Sequence, residues 1–331
     1  MTLASAGIDF IIYPYIFYSM KKIKSFFKVL KGAGSGFIED NVFKLAASLS
    51  YYTVFSIGPV LIIIISLAGI FYGREAVQGR IYGQIKGMVG NDAAVQIQQI
   101  VANIQASDGG TIGAIVGFIL LIVGSTAVFI EMQDSINEIW SVKAKPKKGW
   151  LKFLTNRLLS FSLIISIGFI LLVSLIINAL LDLLSAKLMK FFADYTIYLF
   201  YVLNVLIIFA VISSLFAIIF KVLPDAHINW KDAFVGAAFT AVLFILGKFG
   251  ISYYIGQSEL GATYGAAASI VIILTWVYYS SLILYFGAEF TKTYAISVGG
   301  GITPGETAVY IIKREAKEID TTPKEVPEKV S

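Results

Sequence analysis

Six apolar stretches, at about residues 45–71, 111–131, 158–183, 197–221, 233–255 and 268–290, are each long enough to cross a bilayer as a helix. A hydrocarbon core about 30 Å thick takes about 20 helical residues. Lipid cannot hydrogen-bond an exposed backbone, so only helices and closed barrels cross it. Barrel strands alternate polar and apolar residues, whereas these runs are continuously apolar. Composition agrees: 57% of residues are hydrophobic and 14% charged, where a soluble domain has about 25% charged. The expected fold is an all-α integral membrane protein with six transmembrane helices. The chain has no cysteine, which excludes disulfides and thiolate metal sites.

Positive charge sets the expected orientation. Six Lys and Arg fall in 21–44, six in 141–157, two in 221–232 and six from 292 onward. The alternate connections hold three in 72–110, two in 184–196 and none in 256–267. Twenty against five puts the richer side, and both termini, in the cytoplasm. Three regions follow. Residues 1–44 form an N-terminal basic amphipathic or interfacial segment, 45–295 the six-helix transmembrane domain, and 296–331 a mostly disordered cytoplasmic tail. Within that tail, GGGITPGE breaks any helix, and the sequence after it holds at most one short helix.

The first nineteen residues admit two readings. IDFIIYPYIFYSM is apolar but short, contains Pro14, and precedes its positive charges instead of following them. It is either an interfacial segment or lies upstream of a start at Met20. The lysines after Met20 either engage an anionic inner leaflet or only set orientation; neither reading needs nucleic acid. Gly58-Pro59 predicts a kink in the first span, and Pro59 is the candidate hinge. Between spans one and two, Val77, Ile81, Ile85 and Val89, then Ile97, Ile100, Val101 and Ile104, mark two amphipathic exterior helices. No internal repeat stands out.

The second apolar run continues without a turn signal into GSTAVFIEMQDSINEIW. Glu131, Asp134 and Glu138 share one helical face, and Gln133 and Asn137 form a pair four apart on the adjacent face. Acids at a helix C-terminus oppose the macrodipole, so water or a cation must compensate. Lys44, Lys143 and Lys231 are the expected cations. The segment is either a solvated helix extension or a buried polar network. Lys248 falls near the middle of the fifth span, a depth where a lysine faces an interior or wet cavity, or snorkels outward. Glu289, near the end of the sixth span, lies at another depth, and no direct pairing with Lys248 is expected. Gly261-x-x-x-Gly265 suits close helix packing. His227, the one histidine, is read as a loop residue.

Four stretches together carry a resemblance: KLAASLSYYTVFSIGPVL, STAVFIEMQDSINEIW, LPDAHINWKDAFVGAAFTAVLFILGK and TYGAAASIVIILTWVYYSSLILYFGAEFTKTYA. Over roughly residues 40 to 295 the chain resembles the YihY/BrkB family of bacterial inner-membrane proteins, formerly labelled ribonuclease BN-like. The shared positions are Pro59, Gln133, Asp134, Asn137, Trp140, Pro224, Trp230, Gly236, Lys248, Tyr264, Gly265, Trp276, Gly287, Ala288 and Glu289. The resemblance implies a six-helix protein of the cytoplasmic membrane with a role in moving lipid or envelope material. The candidate substrate-binding or translocation residues are then Lys248, Asp134, Asn137, Glu138, Gln133, Glu131, Glu289 and Tyr264. No catalytic residue, metal site or cofactor is expected, and the chain is read as a non-enzyme. A non-transporting scaffold or assembly partner is the alternative, and a membrane-bound nuclease or hydrolase ranks below both. The expected partners are membrane lipids, with a second copy or an envelope protein as further candidates, and no nucleic acid. No nucleotide-binding G-x-x-x-x-G-K-[ST] occurs.

Overall fold

The computed structural model describes residues 24–56, 95, 98, 127–145, 193–258, 263–264, 267–306 and 308–312. Helix α1 covers 24–39 and α2 begins at 42, described to 56. They meet at Asp40-Asn41, where Asn41 takes a φ of 50°, a left-handed conformation that Asn tolerates well. Helix α3 is described from 127 to 139, and strand β1, Val142–Ala144, follows it. Next come α4, Ala193–Val222, β2, Ala226–Ile228, and α5, Trp230–Gln257. Helix α6, Ala268–Ser297, leads to β3, Ile302–Pro304, and β4, Ala308–Tyr310.

Three of these helices are long and apolar enough to cross a membrane: Val202–Val222, Trp230–Gln257 and Ile270–Ser297. They overlap the fourth, fifth and sixth expected spans. Only 17%, 33% and 33% of their apolar windows is buried, so much of each helix stays partly or fully exposed, as lipid-facing helices require. The third span, most of the first two, Pro59, the exterior helices (but for positions 95 and 98) and Gly261 and Gly265 lie outside the described residues.

Helices α5 and α6 pack antiparallel through a repeat that the sequence reading does not pick out. Gly236-Ala-Ala-Phe-Thr240 on α5 faces Gly287-Ala-Glu-Phe-Thr291 on α6. A Cβ at Gly236 would overlap the Thr291 side chain, and one at Gly287 would overlap that of Thr240. Each threonine hydroxyl donates to the glycine carbonyl one turn back on its own helix, at 2.7 Å for Thr240 and 2.6 Å for Thr291. This internal bond satisfies the hydroxyl within the helix, and the whole threonine side chain, Oγ1 nearest, fills the gap over the opposite glycine. Phe239 and Phe290, the matching fourth residues, stack with centroids 3.8 Å apart. The two pentapeptides thus form a local two-fold contact.

One end of the bundle is capped by strands. β1 pairs antiparallel with β4, Val142 opposite Tyr310, and β2 with β3, Ala226 opposite Pro304. Here the tail differs from the expectation of disorder from 296. Helix α6 runs to Ser297, and 302–304 and 308–310 return to the bundle as strands. In the sequence after GGGITPGE, where at most one short helix is expected, Ala308–Tyr310 form β4. Gly299–Gly301 form a wrap, not a linker: the Gly300 N–H donates to Asp232 at 2.9 Å, and Gly301 has a φ of 79°. Asp232 lies in the first turn of α5, where a carboxylate suits the positive helix terminus. His227 lies in β2 with its side chain exposed, not in a loop. Beneath the cap, Ile136, Ile139, Trp140, Phe220, Leu223 and Tyr285 share one buried cluster.

The seam makes a direct prediction. Gly287→Leu should lower the stability of the detergent-purified protein by at least about 1–3 kcal/mol, the usual cost of overpacking. Gly34→Ala should be neutral, since its Cβ would meet nothing within 4 Å. Equal thermal midpoints for the two variants would contradict the seam.

Candidate functional site

The amides and acids of α3 separate. Gln133 and Asn137 are buried, at 3% and 4% exposure, while Asp134 and Glu138 are exposed and Glu131 is half-buried. Lys44, Lys143 and Lys231, the expected compensating cations, are all exposed. Asp134 and Glu138 therefore lie on a solvent-accessible face, and the inward network is built from amides.

Asn137 is its best-satisfied member. Its Nδ2 donates to Asp225 Oδ2 at 2.9 Å, and its Oδ1 accepts from the Asp225 backbone N–H at 2.8 Å. Asp225 follows Pro224 in the turn between α4 and β2, and its carbonyl accepts from the Gly305 N–H at 2.8 Å. One turn thereby ties the end of α3 to the segment between β3 and β4. Trp140 donates from Nε1 to the Ala288 carbonyl at 3.1 Å, tying α3 to α6. Among the described residues, Gln133 Nε2 and Ser135 Oγ are buried with no hydrogen-bond partner.

A second cluster joins α6 to the turn between α1 and α2. Lys292 Nζ lies 3.1 Å from Asp40 Oδ2 and 3.3 Å from Glu289 Oε2. The Glu289 side chain is 1% exposed and that of Asp40 5%. Among the described residues, Glu289 Oε1 has no hydrogen-bond partner. Helix α1 approaches this carboxyl through Gly36, where a Cβ would sit 2.8 Å from the carboxyl carbon. Gly32 meets Thr293 in the same way, and Phe26 packs on Phe290 at 5.9 Å. Sequence reasoning singled out Glu289 but neither Asp40 nor Lys292. Both look like ordinary helix-end charges until α1 is folded onto α6.

One turn of α6 away lies a groove of about 510 Å³ between α1, α5 and α6. Its walls include Gly34, Phe37, Leu246, Tyr279, Ile283 and Phe286. Lys248 follows Gly247 of the same wall; it is half-buried, with Nζ 5.2 Å from the Phe249 ring centroid. It does not join the Glu289 cluster, in keeping with the difference in depth. Tyr264 is exposed in a helical turn at 263–264. Among the described residues, no group of three or more His, Asp or Glu side chains is placed to hold a metal ion.

Long outward-facing apolar helices with a polar, strand-capped end define a helical membrane protein. The family model described as "Virulence factor BrkB" matches residues 33–308, and the chain belongs to that family. A UPF0761 membrane protein of Ralstonia nicotianae is 28% identical over 78% of this chain and 56% of its own length. One of Rhodospirillum centenum is 29% identical over 83% of this chain and 59% of its own. One of Pseudoalteromonas atlantica is 28% identical over 76% of this chain and 81% of its own. The chain thus spans little more than half the length of the first two. No solved structure matches it.

The Asn137–Asp225 clamp is testable. Asn137→Ala strands a part-buried N–H and a carboxylate, a loss of about 1–3 kcal/mol, and Asp225→Ala should cost a similar amount. The double variant should fall well short of the sum in thermal unfolding, because both remove one interaction. Strict additivity would rule the clamp out.

Proposed function

We propose that this protein is a six-pass protein of the bacterial cytoplasmic membrane that translocates a lipid or another amphipathic envelope molecule. The observation that carries the reading is the groove between α1, α5 and α6. Its walls are apolar, it lies among outward-facing residues such as Leu246 and Phe249, and a charged cluster begins one helical turn away. That arrangement suits a ligand with an acyl chain and an ionised headgroup: the chain occupies the groove and the head stays near charge and water. Lys248, beside the groove wall, attracts an anionic phosphate. The exposed lysines Lys24, Lys28 and Lys31 of α1 add a positive surface that favours an anionic leaflet.

Charge bias supports a cytoplasmic position for the strand-capped end. The Asn137–Asp225 clamp closes that end as a structural element, and Asp134 and Glu138 meet the aqueous phase. With no nucleotide-binding motif in the chain, movement is passive, ion-coupled or driven by a separate subunit. No chemistry on the substrate is required, so the reading is of a non-enzyme. Membrane lipids are the first partners; a second copy or an envelope protein completes the assembly.

The test is lipid movement by the purified full chain in liposomes carrying fluorescent anionic and zwitterionic phospholipids. Wild type should move lipid. Gly34→Phe, which fills the groove from a position with open space, should slow it about ten-fold or more, an effect of about 1.4 kcal/mol. Lys248→Ala should selectively slow the anionic lipid. If wild type neither moves nor binds lipid, and both variants support normal cell function, the scaffold reading replaces this one.

A further inference from the structure

In α1, Lys24, Lys28 and Lys31 recur at intervals of four and three, which sets them on one side of the helix. All three are exposed, and among the described residues none has an ion-pair partner. The one acid between 24 and 39 is Glu39, which accepts from Ser35 Oγ at 2.8 Å. It stands about 12 Å along the helix from Lys31. The row therefore presents uncompensated positive charge.

A second stripe shares Lys31 with that row: Phe27, Lys31, Gly34 and Ile38, spaced by four, three and four. Phe27 and Ile38 are 62% and 64% exposed. Large apolar side chains interleaved with lysines suit a helix lying in a membrane interface. Gly34 lines the groove, and a Cβ there would meet nothing within 4 Å. It is thus a notch in the groove's rim, with Lys31 one turn before it and Ile38 one turn after. Val29 and Ala33, on the other side of α1, pack with Phe290 in a buried cluster. The helix also lies across α6, not along it. Phe26 and Gly36 are about 15 Å apart on α1, yet they meet Phe290 and Glu289, which are neighbours on α6.

We propose that the lysine row of α1 is the headgroup site for a lipid whose acyl chain enters the groove through the Gly34 notch, and that this lipid is an anionic phospholipid of the leaflet in which α1 lies. With α6 spanning the bilayer, the steep crossing lays α1 near the membrane plane. Lys28 and Lys31 meet the phosphate, and Lys24, one turn further, adds to the field. The chain passes between Lys31 and Ile38 and runs between Phe37 of α1 and Tyr279 and Ile283 of α6. Charge bias makes this the cytoplasmic leaflet. The inference rests on the translocation reading and deepens it, naming the class of lipid and the leaflet that supplies it.

The experiment is native mass spectrometry of the full chain released from nanodiscs holding equal phosphatidylglycerol and phosphatidylethanolamine. Wild type should retain phosphatidylglycerol preferentially. Lys28→Gln combined with Lys31→Gln, both at exposed positions, should weaken that retention about thirty-fold, or about five-fold per lysine. Phosphatidylethanolamine retention should not change. Gly34→Phe should lose both lipids. Lys143→Gln combined with Lys231→Gln, exposed lysines that do not line the groove, should behave as wild type. An equal loss in that control overturns the proposal, as does phosphatidylglycerol still held by Gly34→Phe, since the lysines would then act without the groove. Soluble glycerol phosphate bound as tightly as the lipid also overturns it, because the chain would contribute nothing. No lipid adduct on wild type does the same. A lysine-dependent adduct on a protein that moves no lipid keeps the headgroup site and removes the translocation reading. Lipid movement with an adduct indifferent to the lysine pair does the reverse.

Discussion

The close approach of α5 and α6 is the contact on which the other observed arrangements rest. Two glycines remove the side chains that would hold the helices apart, and two threonines fill the space from the opposite helix. In lipid this matters more than in water, since no hydrophobic force drives one apolar helix onto another and association depends on packing. The back-bonded hydroxyls let a polar residue serve at that depth without an unsatisfied group. With the pair locked, Phe239 and Phe290 present a continuous surface on which α1 docks.

Docking of α1 brings the two halves of the candidate site together. Gly32 and Gly36 carry the α1 backbone onto Thr293 and Glu289, which closes the charged cluster. The same helix supplies Gly34 and Phe37 to the apolar groove. A buried acid and the groove therefore share one wall, α1. The strand cap stabilises the opposite side of α6: Trp140 holds Ala288, Asp232 holds Gly300, and the Asn137–Asp225 pair closes the end of α3.

The sequence was most legible where the physics is local. Continuous apolar runs anticipated the helices now seen as α4, α5 and α6, although α6 continues to Ser297, with Thr291 packed on Gly236 of α5, Thr293 on Gly32 of α1 and Lys292 in the charge cluster. The amide pair Gln133 and Asn137 was readable from its four-residue spacing. The acids beside it were not, because polarity alone does not tell an inward face from a wet one. The three-residue strands were missed because their partners are remote: β1 and β4 are joined across the whole of α4 to α6. Asp40 and Lys292 were missed for the same reason, since only the fold makes neighbours of residues at either end of the chain. The GAAFT and GAEFT repeat was visible in the letters, but five residues acquire meaning only when the helices are seen antiparallel.

The central claim is that the groove beside the charged cluster holds a lipid. Native mass spectrometry of the full chain, extracted with its surrounding membrane, tests it most directly. The account predicts a retained lipid adduct on wild type that is lost from Gly34→Phe. Equal retention by both proteins, or no adduct on either, would contradict it.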